Sequence, residues 1–344
     1  MNNIFSKRML HPEKPSLEKL IVPVFIPHKG CPHLCVFCNQ KRISGTAGSP
    51  SPEDVREYLS GAFSSGRPAT TIAFYGGTFT AMPGLEQKKY LSVASEFVSK
   101  GLASGIRLST RPDEMDGERA RFLKEHSVKT VELGVQSLDD SVLGKSGRGH
   151  TVGDAIRAAK VVKDAGLELG IQLMAGLPGD SREKFLHTVS ETVRLSPDFV
   201  RIYPALVVDG SELADMWRRG EHVPLSLFEA VELCAQAVEM FESAGIRVIR
   251  LGLQPGEELE KSLLAGPYHP SFGHLVRSRI ALRKMLAALE NYEGDSAEIV
   301  VNPRELSVYK GIRNANVREL SRATGKKIKI SAGDAAPGEF KIQL

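Results

Sequence analysis

The sequence predicts an α/β protein: a partial or full (β/α) TIM-like barrel followed by a small C-terminal α+β appendage. Three observations carry this prediction. Seven short apolar, β-branched runs alternate with amphipathic helical stretches at about the length of one βαβ unit. The unusual polar and glycine-rich loops follow the C-terminal ends of those runs, where the sites of such folds form. The alternation stops after about residue 256, where turn residues take over. The expected division is an N-terminal arm at 1–16, the barrel at 17–255 and a basic α+β extension at 256–344.

The strands read in order as "LIVPVFI" (20–26), "TTIAFYG" (70–76), "GIRLST" (105–110), "VKTVELG" (128–134), "LELGIQLM" (167–174), "DFVRIYPAL" (198–206) and "IRVIRLGL" (246–253). Their near-continuous apolar character predicts a parallel sheet buried on both faces. Helices lie between them. The stretch 51–66 opens with Ser51 as a cap and Pro52 at the first position, with acids in the first turn, an order that suits the free amide groups of a helix start. The stretch 151–166 begins with Thr151 and Asp154 and ends at Gly166, and 181–195 and 225–245 repeat the scheme. Cys234 falls in the apolar stripe of the last and reads as a buried thiol. Beyond the turn-rich 256–273, a helix at 274–290, a strand at 297–303, a helix near 314–324 and a strand at 327–332 make the appendage.

No run approaches the roughly 20 apolar residues of a membrane span. The start has no signal-peptide pattern, so a cytoplasmic location without membrane attachment is expected. In a reducing compartment the four cysteines are not expected to form disulfides, and the tight cluster of three is read as a metal or redox site. The net charge of +4 is mild but uneven. Between Arg304 and Lys329 eight cations (Arg304, Lys310, Arg313, Arg318, Arg322, Lys326, Lys327, Lys329) face only Glu305 and Glu319, and Lys7, Arg8, His11 and Lys14 add a basic start. Such a distribution suits a polyanion or a solvated surface.

"GCPHLCVFCNQ" (30–40) concentrates Cys31, Cys35 and Cys38 in eight positions. The C-x₃-C-x₂-C spacing is not a zinc-ribbon pattern, although His28 or His33 could supply a fourth zinc ligand. A ferredoxin needs four thiolates per cubane cluster. Three thiolates on a [4Fe–4S] cluster leave one iron open for the amine and carboxylate of S-adenosylmethionine. One electron then breaks the sulfonium bond, and the 5′-deoxyadenosyl radical takes hydrogen from an unreactive carbon. The protein supplies position and a dry site for this chemistry.

At these residues, with Phe37 before the third cysteine, the chain resembles the radical S-adenosylmethionine superfamily. Within it the chain is most similar to the Elp3-like branch and its oxygen-independent coproporphyrinogen oxidase relatives, from about Pro23 to Leu253. The resemblance implies a [4Fe–4S] cluster on Cys31, Cys35 and Cys38, S-adenosylmethionine as cofactor, and a reducing partner such as ferredoxin or flavodoxin. It places Gly76, Gly77 and Thr78 of "FYGGTFT" at the methionine amine, Ser109 at ribose or carboxylate where relatives often carry an acid, and Gln136 at the nucleoside. It puts Arg148 on the methionine carboxylate, which its planar fork suits, Gln172 on ribose, and "GLPG" (176–179) beneath adenine.

From the residues themselves, Glu132 and Gln136 are polar groups in an apolar strand end and must meet each other, the backbone or a ligand. One of Arg201 and Tyr203 is expected to face the interior, with Tyr203 a candidate beside the substrate. Elp3-like enzymes modify tRNA uridine with an additional acetyltransferase domain, for which this chain has no room after the barrel. Three functions follow: a radical enzyme acting on tRNA, gripped by the basic extension; a radical enzyme on a small molecule or cofactor precursor; or a zinc- or cluster-bearing RNA-binding or electron-transfer protein. Asn39 and Gln40 follow Cys38 where the coproporphyrinogen oxidases carry a further cysteine, which argues against that activity.

Overall fold

Side-chain alternation decides the architecture. In a computed structural model, which describes residues 21–44, 48–64 and 70–343, every second residue of the central strands is fully buried against helices: Ile72 and Phe74, Ile106 and Leu108, Val131 and Leu133, Ile171 and Leu173. The residues between them point the other way. The expected arm at 1–16, with its basic residues, lies outside the described residues.

The strands are β1 (Ile21–Phe25), β2 (Thr70–Tyr75), β3 (Ala103–Thr110), β4 (Val128–Gln136), β5 (Glu168–Ala175) and β6 (Phe199–Pro204), then β7 (Val207–Val208), β8 (Arg247–Leu251) and β9 (Leu263–Ala265). Seven of them form one parallel sheet in the order β1-β2-β3-β4-β5-β6-β8. β1 and β8 are its two edges, so the sheet curls into a half-barrel and not a closed one. This is the partial form of the expected barrel.

One expectation is corrected here. The strands are not apolar on both faces. Their outer face packs on helices, but the inner face lines an open cavity with Tyr75, Arg107, Gln172, Arg201 and Tyr203, and Glu132 lies buried among three of them. A closed barrel fills its interior with branched aliphatic side chains; this one keeps it polar.

The helices start where their caps predicted. Ser51 and Asp54 exchange hydrogen bonds ahead of Pro52–Ser64, and reciprocal capping boxes open Val152–Asp164 (Thr151, Asp154) and Leu227–Ser243 (Ser226, Glu229). Helices Gly84–Ser99 and Gly117–Glu125, not singled out in the sequence, cover β3 and β4. Cys234 has no exposed surface, and burial pushes its thiol up to about 12. The turn-rich connection contains helix Glu257–Ser262 and β9, which pairs antiparallel with β7.

Helix Phe272–Leu289 belongs to two cores. Phe272, Val276 and Ile280 complete the half-barrel, while Leu282, Met285 and Leu289 pack with Ile299, Val301, Leu320 and Ile330. The second core sits on a sheet of β10 (Ser296–Val301) between parallel β11 (Lys327–Ala332) and antiparallel β12 (Phe340–Gln343); β12 was not anticipated. Among the described residues no helix is long and apolar enough to cross a membrane.

Candidate active site at the mouth of the half-barrel

The cysteine loop is held by interlocking backbone. His28 N–H donates to the Gly76 carbonyl and Thr78 N–H to the Lys29 carbonyl, each at 2.8 Å. The approach is too close for side chains. A Cβ on Gly30, whose φ is +72°, would lie 2.3 Å from the Thr78 carbonyl oxygen, and one on Gly77 would lie 2.5 Å from that of Lys29. Gly77 is therefore required to seat the cysteine loop against the β2 end, whatever it does for a ligand.

Each sulfur of the loop has a polar partner from a different segment. Arg148 Nη1 donates to Cys35 Sγ at 3.0 Å, Thr78 Oγ1 lies 3.4 Å from Cys31 Sγ, and Gln40 Nε2 donates to Cys38 Sγ at 3.5 Å. Burial, then the neighbouring Cys35, pushes the Cys38 thiol up to about 12. A bound metal would reverse that order by displacing the proton. Among the described residues no three His, Cys, Asp or Glu side chains converge as a metal site in this arrangement. The donor set nevertheless fits a thiolate-held cluster: three soft ligands on one loop, each with a group placed to stabilise negative sulfur. Of the two histidines considered for zinc, His28 accepts the Gln40 backbone N–H at Nε2 at 3.1 Å.

The three cysteines share one cavity of about 1720 Å³ with Gly76, Gly77, Thr78, Ser109, Gln136, Arg148, Gln172 and Tyr203, whereas residues 176–179, expected beneath adenine, do not line it. Gln136 ends β4 at φ +67° and accepts from Gln172 Nε2 at 3.2 Å. Arg148 is 5% exposed; its Nη2 donates to the Gly134 carbonyl, and its own carbonyl accepts from Arg111. Arg111 in turn is clamped on Asp113 at 2.8 Å. Both Arg201 and Tyr203 face the interior, 3.4 Å apart, where only one was expected to.

Deeper in the cavity is a cluster the sequence had only half revealed. Glu132, 3% exposed, accepts the Tyr75 hydroxyl at 3.1 Å and faces the Nε atoms of Arg201 at 3.0 Å and Arg107 at 3.4 Å. Burial, then Glu132, raises the Tyr75 hydroxyl to about 12, so it stays a neutral donor. Arg107 and Tyr75 went unmarked because one polar residue in an apolar run resembles a surface position; their place two residues before Ser109 and Gly77 was the available signal.

His150, 4% exposed, holds the Val135 carbonyl through Nε2 at 3.2 Å. Burial, then Arg148, lowers its pKa to about 3. The unfolded chain takes up this proton near pH 6.5 and the folded one does not, so the stability His150 provides is complete above pH 6.5 and is lost as pH falls toward 3. We expect His150→Gln to flatten that loss, read as the difference in urea midpoint between pH 7 and pH 4.5. An unchanged pH slope would show that other groups govern it.

Comparison with known proteins agrees with this geometry. Residues 25–191 match the radical SAM superfamily and residues 197–281 the radical SAM C-terminal domain. A tRNA uridine(34) acetyltransferase of Methanocaldococcus jannaschii is 39% identical over 38% of this chain and 25% of its own length. An uncharacterized protein of the same organism is 28% identical over 69% of this chain and 76% of its own. In structure, Elp3 of Methanocaldococcus infernus with its N-terminus deleted superposes with a TM-score of 0.60 at 25% identity, over 77% of this chain and 63% of that one. The chain thus spans about a quarter of the length of the acetyltransferase it matches. With both domain matches in order along a half-barrel that brings the three cysteines into its mouth, the chain belongs to the radical SAM superfamily of enzymes.

Proposed function

We propose that the chain uses a [4Fe–4S] cluster on Cys31, Cys35 and Cys38 and S-adenosylmethionine to attack an RNA substrate, tRNA foremost. The carrying observation is that each loop sulfur meets its own polar partner within one cavity. When bound, cluster and S-adenosylmethionine supply one-electron cleavage of the sulfonium and hydrogen abstraction. The chain's residues bind and orient. Arg148, held by Gly134 and by Arg111 clamped on Asp113, presents a fixed fork to a carboxylate. Gln136 and Gln172, bonded to each other, offer their remaining amide groups to a nucleoside. A one-electron donor such as ferredoxin or flavodoxin completes the reading.

RNA is favoured by charge that the protein leaves unbalanced. Among the described residues, Arg304, Lys310, Arg313 and Arg322 have no ion-pair partner; Arg304, Arg313 and Arg322 are exposed and Lys310 half-buried. Lys326 and Lys329 are less available, because Lys326 donates to the Gly294 carbonyl at 2.8 Å and Lys329 pairs with Glu298 at 3.0 Å. The relative named as a tRNA uridine(34) acetyltransferase points the same way.

After anoxic reconstitution and dithionite reduction, S-adenosylmethionine should yield 5′-deoxyadenosine. Replacing Arg304, Lys310, Arg313 and Arg322 with Gln should weaken tRNA binding and reduce its log–log salt slope by roughly 3–4. Cleavage with an unchanged slope would favour a small-molecule substrate. No cleavage from cluster-loaded protein would remove the radical reading.

A further inference from the structure

In the inner layer at mid-barrel two guanidiniums, Arg107 and Arg201, share one fully buried carboxylate, Glu132; the second carboxylate within reach, Glu168, is half-buried and also pairs with Arg247, whose side chain is 65% exposed. Arg201 Nε lies 3.0 Å from Glu132 Oε2 and Arg247 Nη2 lies 3.3 Å from Glu168 Oε1. Arg107 stands between them with second claims on both, 3.4 Å from Glu132 and 3.9 Å from Glu168. Glu132 is further occupied by Tyr75, and Glu168 accepts the Thr130 hydroxyl at 2.5 Å. Arg107 itself is 12% exposed in its side chain, its Nε, like that of Arg201, has no hydrogen-bond acceptor, and its guanidinium lies 4.7 Å over the Phe199 ring.

A guanidinium held out of water without its own counter-charge costs several kcal/mol. Aliphatic side chains are what a barrel interior ordinarily receives at such a level. A cation kept there with only long, shared contacts to carboxylates, on the wall of the cavity that contains the cysteines, leaves room for a charge that arrives with a ligand.

We propose that Arg107 and Arg201 bind an oxyanion of the substrate, a carboxylate or a phosphate. This deepens the enzymatic reading of the same cavity and rests on it. The layer lies two residues below Ser109, Gly134 and Tyr203, or about 7 Å further from the mouth. The anion is therefore a handle remote from the reacting carbon, and its binding energy serves to orient that carbon under the cofactor. Arg201, committed to Glu132 and to Tyr75 at 2.9 Å, fixes the layer; Arg107 provides the loosely paired charge.

The test reads melting and not turnover. Arg107→Met keeps the stem over Phe199 and removes the charge. In chloride buffer the cluster-loaded variant should melt at or above wild type, because a burden on folding has been relieved. Arg201→Met should melt several degrees lower. Replacing chloride with phosphate or acetate at constant ionic strength should raise the wild-type midpoint by at least about 2 °C. That rise should vanish in Arg107→Met and persist in the variant neutralised at Arg304, Lys310, Arg313 and Arg322. The anion with the larger effect identifies phosphate or carboxylate as the handle. An Arg107→Met protein that melts several degrees below wild type, or that keeps the anion response, overturns the proposal. So does loss of the response in the neutralised variant, which would assign it to the basic face. Failure of S-adenosylmethionine cleavage would leave these midpoints untouched, so the two readings fail separately.

Discussion

Cys35→Ala is expected to reduce iron incorporation to background and to abolish 5′-deoxyadenosine formation, while the protein stays folded. Two thiolates cannot hold a cubane, and Arg148 Nη1, 3.0 Å from Cys35 Sγ, loses the sulfur it stabilises. The fold should survive because Cys35 sits half-buried on a loop outside the main cores. Circular dichroism and iron analysis on anoxically prepared protein separate the two effects. The control runs opposite: Cys234→Ala should retain iron and lose roughly 1 kcal/mol of stability from the helical core. Retention of the parental iron–sulfur absorption by Cys35→Ala would eliminate the loop as the cluster's holder.

Glu132→Ala should be the most damaging single change to the barrel itself. It leaves two buried guanidiniums and a buried phenol without their shared acceptor. Removing one member of such a buried set costs roughly 3–5 kcal/mol, far more than the net worth of the intact pair, because the stranded charge stays desolvated. Exchanging two of its members, Glu132→Met with Arg201→Met, should recover part of that loss, Arg107 and Tyr75 remaining without Glu132. Urea unfolding of wild type, Glu132→Met, Arg201→Met and the double variant supplies the coupling directly. A loss below about 1 kcal/mol in Glu132→Ala would mean that water reaches the layer and solvates the arginines.

Much of the fold was legible because it depends on local rules. Strand positions followed from apolar runs, and helix starts from cap chemistry at Ser51 and Thr151. The cysteine spacing and the polar strand ends at Gln136 and Gln172 were legible as well, and all of them line one cavity. What escaped depends on which way a side chain points once the sheet curls. Arg107 reads as any strand arginine until the sheet brings Glu132 to it from the neighbouring strand. Both Arg201 and Tyr203 turned inward because they are two apart on one strand, a relation available from period two alone. The free cations of the appendage could not be told from the spent ones, since Glu298 and the Gly294 carbonyl reach Lys329 and Lys326 only through tertiary pairing.

Helix Phe272–Leu289 anchors in the half-barrel at one end and in the appendage at the other. Its 18 residues make a rod about 27 Å long. Rod and sockets act like the jaws of a caliper locked at a single setting. The distance between the two cores is thus fixed by a single helix, and neither can slide along it without repacking the other.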